Sequence, residues 1–167
     1  MRLFLILLFA FSALANGAPQ VTTVVLVRHA EKAGPSGDVP LSEVGLARAA
    51  ELSRVLAGVK FDAIYTTPYL RTRGTANPVA EKAGLKPVEI TTGATYAADM
   101  AKIIRDKHAG GTVLIVGHSN TTRDVIKALG GDIPEIVDSQ YDDLFVVTLL
   151  DGKAVNVLPL RYGAVQR

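Results

Sequence analysis

Cysteine is missing from all 167 residues. That removes disulfides, cysteine-ligated zinc, iron–sulfur clusters and thiol nucleophiles from the chemistry open to the chain. Charge of one sign is scarce too. Lys and Arg number 18 against 16 Asp and Glu, a net +2, too little to draw a nucleic acid or an anionic membrane. Internal repeats, low-complexity tracts and interdomain linkers are also lacking. What remains is 49% hydrophobic and 20% charged, an ordinary globular composition. The length suits one domain able to build its core without staples.

One apolar run stands apart. Met1-Arg2 is followed by apolar residues from Leu3 to Phe11 and then by Ser12-Ala13-Leu14-Ala15. A positive start, a short apolar stretch and small residues two apart have the form of a secretory signal peptide. Ala13-Leu14-Ala15 fits the cleavage rule, and Ala15-Asn16-Gly17 offers a second cut. The run is short of the roughly 17–25 residues that span a bilayer. The expectation is a leader at 1–17 and a single domain at 18–167, periplasmic or secreted, with no stable membrane insertion after processing.

Past the leader, apolar runs alternate with helical patterns. Val21–Val27 and Thr112–Val116 are continuous apolar stretches, the mark of strands buried on both faces. Phe61–Thr66 and Val88–Ile90 are shorter strands. Ser42 is placed to cap a helix over Glu43–Ala57. Further helices are expected over Tyr69–Lys82, Ala97–His108 and from Asn120 or Thr121 to Leu129. Pro78 should kink or split the second of these. Leu144–Leu150 and Ala154–Leu158 flank Asp151-Gly152-Lys153, a β-hairpin with a tight Asp-Gly turn. The pattern predicts an α/β three-layer sandwich: a mostly parallel central sheet, helices on both faces, and the C-terminal antiparallel hairpin at an edge.

Two of the apolar strands end in chemistry. One runs into Arg28-His29-Ala30-Glu31, the other into Gly117-His118-Ser119-Asn120. Ligands of open α/β sheets bind at the carboxyl ends of strands, so both histidines are expected at one rim. The strand ending at Thr66 can bring Arg71 there.

Leu26-Val27-Arg28-His29-Ala30-Glu31 resembles the Arg-His signature of the histidine phosphatase superfamily, the phosphoglycerate-mutase-like fold. Thr67-Pro68-Tyr69-Leu70-Arg71-Thr72-Arg73-Gly74-Thr75-Ala76 is similar to its second block, usually Ser-Pro-x-x-Arg-Ala-x-x-Thr-Ala. Val116-Gly117-His118-Ser119-Asn120 is similar to its third, and Leu41-Ser42-Glu43-Val44-Gly45 resembles the Leu-Thr-x-x-Gly before its first helix. The four follow the family's order. The resemblance implies that His29 is the nucleophile taking the phosphoryl group, with Arg28, Arg71 and His118 as catalytic and substrate-binding residues holding its oxygens. Cations beside an imidazole favour the neutral form an attack needs, and guanidinium forks match phosphate oxygens. No metal or cofactor is called for.

Other readings of the same residues stay open. His29, Glu31 and His118 could form a two-His-one-carboxylate metal site, which leaves Arg28 and Arg71 without a role. Glu31 otherwise pairs with an arginine. Arg73 reads as a surface residue, His108 as a helix-dipole contact, Asp62 as a local backbone or ion-pair partner, and the tyrosines as core or rim. A general acid is hard to find among Glu81, Glu89, Asp99 and Asp106; Asp99 is the best placed. Without one, phosphoramidates, acyl phosphates and aryl phosphates are favoured over alkyl phosphates. The short chain has little room for a lid, which favours hydrolysis over a mutase cycle. The sequence reading is an exported metal-independent phosphatase acting on small phosphorylated substrates or envelope phosphate groups. A protein phosphohistidine phosphatase, or a phosphate-binding module with little turnover, is the alternative.

Overall fold

The computed structural model describes residues 18–165, so the leader reading at 1–17 lies outside the described residues. Ten elements follow in chain order: β1 Val21–Arg28, α1 Glu43–Val55, β2 Ala63–Thr66, α2 Leu70–Ala83, β3 Val88–Glu89, α3 Tyr96–Lys107, β4 Thr112–Gly117, α4 Ser119–Ala128, β5 Asp143–Leu150 and β6 Lys153–Arg161. The six strands form one sheet in the order β3-β2-β4-β1-β5-β6. β3, β2, β4 and β1 run parallel, and β5 and β6 add antiparallel at one edge.

The unbroken apolar runs are explained by two cores. Val24 and Leu26 of β1 join Val113 and Ile115 of β4 against Met100 and Ile104 of α3 and Val125 and Ile126 of α4. Their neighbours Val25, Val27, Leu114 and Val116 point the other way, onto Leu52 of α1 and Ala76, Val79 and Ala80 of α2. Side chains alternate across a strand. A strand covered by helices on both faces therefore has no polar face to show. The three layers expected from sequence are present, with the hairpin at an edge.

Local chemistry sets several boundaries. Ser42 caps α1, its Oγ accepting from Gly45 N at 3.1 Å. Asp151 and Gly152 both take positive φ, 48° and 78°, the two-residue turn that suits the twist of a hairpin. Pro78 neither splits nor ends α2, which runs unbroken to Ala83. The ring costs one backbone bond, but Ala76, Val79 and Ala80 are buried on either side of it, and that packing outweighs the local preference. The α4 cap also differs from expectation. His118 is the capping position, and its N–H donates to Thr121 Oγ1 at 2.8 Å, so the helix starts earlier than Asn120 or Thr121 as cap would allow.

Parallel register delivers the rim. Arg28 pairs with Gly117 and Thr66 with Val116, so β1, β4 and β2 end level with one another. β5 runs the opposite way, with Leu144 opposite Val27, so the segment leading into β5 reaches the same rim. Among the described residues, no helix is long and apolar enough to cross a membrane.

Candidate active site

At this rim lies a cleft of about 300 Å³, lined by Arg28, His29, Tyr69, Arg71, Thr92, His118, Ser119, Asn120 and Thr121. All four residues named from sequence are in it. His29 continues the β1 ladder one step beyond the strand, its N–H donating to Gly117 O at 2.9 Å. Thr75 then ties this turn to α2: Ala30 N donates to Thr75 Oγ1 at 2.9 Å, and that hydroxyl donates to Arg71 O at 2.7 Å. The segment after His29 is fixed again at α1. A Cβ at Gly45 would meet Glu31 O at 2.1 Å, so only glycine lets the first turn of α1 lie against that backbone. Gly117 is constrained similarly, since a Cβ there would lie 2.7 Å from Thr121 Oγ1.

His29 is buried, and its Nδ1 lies 2.7 Å from Ala30 O. A carbonyl only accepts, so Nδ1 carries the proton and Nε2 keeps its lone pair in the neutral ring. Burial is the main force on its titration and draws the pKa down to about 3. His118, Arg28 and Arg71 push the same way, against the raising effect of the Ala30 bond. His118 is lowered to about 4, by burial first and then by Arg71 and Arg28. Both rings are neutral at pH 7, and they meet edge to face at 5.4 Å between centroids.

The two arginines behave differently. Arg71 stacks on Tyr69, with its guanidinium carbon 4.3 Å from the ring centroid. Its buried Nη1 makes no hydrogen bond among the described residues, and Asp38 Oδ1 is 3.9 Å away. Arg28 is committed to structure as well as to the cleft. Its Nη1 donates to the carbonyls of Val137, Asp138 and Gln140 at 3.0, 3.0 and 3.2 Å, and its Nη2 to Asp138 Oδ1 at 3.3 Å. Tyr141 lies over it at 4.2 Å. Arg28 Nε is buried without a partner among the described residues. Buried charged donors without acceptors are costly, and both belong to arginines that line the cleft.

Other expectations sort cleanly. Glu31 is held by Arg48, which donates to it from Nε and Nη2 at 2.8 to 3.0 Å. Its carboxylate is thereby engaged away from a shared metal with His29 and His118, and no group of three His, Cys, Asp or Glu among the described residues could hold a metal ion. Arg73 pairs with Glu89 at the surface, and Asp62 accepts from Thr112 N at 2.7 Å. His108 is the C-cap of α3, where the dipole reading puts it. Its Nε2 also lies 2.7 Å from Tyr65 OH, and burial lowers its pKa. Asp99 is exposed on the first turn of α3 and does not line the cleft. The loop at 33–40 contributes nothing to the lining; its Asp38 instead accepts from Leu70 N at the start of α2.

Sequence reasoning missed Tyr69 and Tyr141 as guanidinium platforms, and Thr67, Thr72 and Thr92. Tyr69 was findable, two residues before Arg71 in the same block. Tyr141 was not, because only the antiparallel return of β5 brings it beside Arg28.

Residues 24–95 match the model of the histidine phosphatase superfamily, branch 1. Solved structures share the fold. A protein from Agrobacterium tumefaciens assigned as the phosphohistidine phosphatase SixA is 24% identical, with a TM-score of 0.62 over 82% of this chain and 97% of that one. Bacillus stearothermophilus YhfR is 21% identical, with a TM-score of 0.65 over 80% and 94%. The phosphoglycerate mutase of Bacillus anthracis is 19% identical, with a TM-score of 0.61 over 82% and 92%. Comparison with curated protein sequences gives no match.

Proposed function

We propose that this chain, a histidine phosphatase superfamily hydrolase, is an exported phosphatase that removes phosphoryl groups through a phosphohistidine formed on His29. The observation that carries the reading is the His29 ring: its proton is committed to Ala30 O, and its burial keeps Nε2 unprotonated. In the first step the Nε2 lone pair forms the N–P bond while the P–O or P–N bond to the leaving group breaks. In the second, water attacks phosphorus, the N–P bond breaks, and inorganic phosphate leaves with the ring restored. Arg71, Arg28 and His118 stabilise the charge on the equatorial oxygens in both steps.

The lining of the cleft argues for the substrate class. Among the described residues lining it there is no Asp or Glu, and Asp138 and Asp38 face Arg28 and Arg71 as ion-pair partners. That supports substrates whose leaving group departs readily: aryl phosphates, acyl phosphates and phosphoramidates. The same feature favours the second reading, a protein phosphohistidine phosphatase, in line with the assignment of the Agrobacterium relative. Export, read from 1–17, favours small phosphorylated compounds or phosphate groups of the cell envelope. Hydrolysis of an aryl phosphate with excess chelator tests the function. Wild type should turn over and His29→Ala should not; equal rates in the two would refute the mechanism. Sequencing the N-terminus of protein recovered from the medium or periplasm tests the export, and a chain retained in the cytoplasm with Met1 or Arg2 intact would refute that part.

A further inference from the structure

Two residues past His29, Glu31 is held by α1 at two points. Its carbonyl accepts from Ser42 N at 2.9 Å and from Ser42 Oγ at 3.3 Å. Its carboxylate accepts from Arg48 Nε, 3.0 Å from each oxygen, and from Arg48 Nη2 at 2.8 Å. Between these holds, Gly45 leaves the room in which the Glu31 backbone lies. Arg48 is buried, its side chain only 2% exposed. Its other contacts go to the segment after β6: Nη1 donates to Tyr162 O at 2.9 Å, and Nη2 to Ala164 O at 3.0 Å. Gly163, between those two, takes a φ of 72°, and a Cβ there would lie 2.9 Å from Nη1. One guanidinium thus joins the turn after His29, α1 and the segment 162–164.

Stability alone is a poor account of this pair. A buried ion pair adds little over a well-packed apolar pair of the same volume. Ala30 and Ala49, each next in sequence to one partner, are already buried with Leu41 in an apolar cluster. What a fork on a carboxylate adds is direction, since its parallel N–H···O contacts fix the plane of the group. The peptide joining Ala30 to Glu31 carries Ala30 O, the acceptor of the His29 Nδ1 proton at 2.7 Å. Thr75 holds the peptide before it, through Ala30 N. A hold on Glu31 O alone would leave a pivot on the far side; the second hold, on the Glu31 side chain, removes that rotation.

We propose that Arg48, seated by Tyr162 O and Ala164 O, is a positioning residue of the phosphoryl transfer: through Glu31 it keeps Ala30 O on His29 Nδ1 and so keeps Nε2 as the attacking atom. The proposal rests on the phosphatase reading for its catalytic meaning. Neither Glu31 nor Arg48 lines the cleft, so both act through His29, and the groups that hold the phosphoryl oxygens are separate from them.

The test uses the full chain with Arg48→Lys, Glu31→Gln and the two combined, each checked for folding by circular dichroism. Arg48→Lys keeps the charge and loses the fork. Glu31→Gln keeps the shape and turns an amide towards one of the Arg48 donors. On an aryl phosphate each should lower kcat by about 10- to 100-fold, the cost of a reacting group displaced by up to about 1 Å. A calorimetric titration with inorganic phosphate should match the wild type, because Arg28, Arg71 and His118 are untouched. The double variant should fall no further in kcat than the worse single one, since both act through one contact. Nitrogen-15 NMR of histidine-labelled protein at pH 7 should place the wild-type His29 proton on Nδ1, and in Glu31→Gln a share of it on Nε2. Folded variants with wild-type kcat overturn the proposal. So does a fall in kcat matched by an equal loss of phosphate binding, and so does an unchanged His29 tautomer in Glu31→Gln. Should Arg48→Lys fail to fold, Glu31→Gln decides alone. An inactive wild type in which Glu31→Gln still moves the His29 proton would overturn the function and leave the clamp standing. An active wild type whose folded variants keep full kcat would do the reverse.

Discussion

The two ends of the sheet both carry a histidine, an aspartate and threonines, yet only one of them is built for a ligand. At the amino ends of the parallel strands, Asp62 accepts from Thr112 N, Thr22 Oγ1 accepts from Gly110 N, and His108 meets Tyr65 OH. Each polar group is answered by a near neighbour. At the carboxyl ends, Arg71 Nη1 and Arg28 Nε are buried without hydrogen-bond partners among the described residues, beside two histidines held neutral by burial. Residue type does not separate the ends; hydrogen-bond completion does. A fold tolerates unanswered buried donors when a ligand answers them.

The comparison breaks first at His29. His29→Ala should cut turnover of an aryl phosphate by at least about 10⁴-fold, as loss of a nucleophile does, with the far-UV circular dichroism unchanged. Arg71→Lys should follow at about 10²-fold in kcat/KM, because an ammonium keeps the charge and loses the fork. Its melting temperature should move less than that of the Arg28 variant, since Nη1 makes no hydrogen bond among the described residues and only a 3.9 Å ion-pair contact with Asp38. Arg28→Lys should lower both activity and stability, the latter by about 1–3 kcal/mol in urea denaturation, because carbonyls of three residues lose their donor. Equal stability of the two lysine variants would contradict the distinction drawn between the arginines.

Acid sharpens the same contrast. The folded pKa values of His29 and His118, about 3 and about 4, lie below the ordinary 6.5. Between those limits the unfolded chain binds more protons than the folded one, so stability rises with pH there. The contribution is complete above pH 6.5 and is lost as the pH falls towards 4. His29→Ala should flatten part of that slope in a melting series across this range. At the other end, His108→Gln should cost about 1 kcal/mol of stability and leave kcat/KM within about twofold. The smallest effect belongs to Asp99→Asn, which should change aryl and alkyl phosphate rates alike and little, because Asp99 is exposed outside the cleft.

The layers were legible from sequence because β1 and β4 must face two cores at once, and a continuous run such as Val24–Val27 has no other explanation. His29, His118, Arg28 and Arg71 were legible because parallel strands end level, so motifs that follow them converge. Three things were hidden. The Pro78 helix survives through packing that no local rule reports. Tyr141 reaches Arg28 through the antiparallel return of β5, a pairing fixed only by tertiary structure. The Thr67–Thr72 contact depends on the turn into α2, where five residues of separation give no periodic sign of proximity.

Trapping the intermediate tests the central claim most directly. Wild type mixed with excess aryl phosphate and quenched in alkali, which preserves phosphohistidine, should yield one peptide heavier by a single phosphoryl group, with the group on His29. Arg71→Lys should give the same peptide more slowly. Turnover by the wild type with no phosphorylated peptide under these conditions, or with the group on any other residue, would contradict the account.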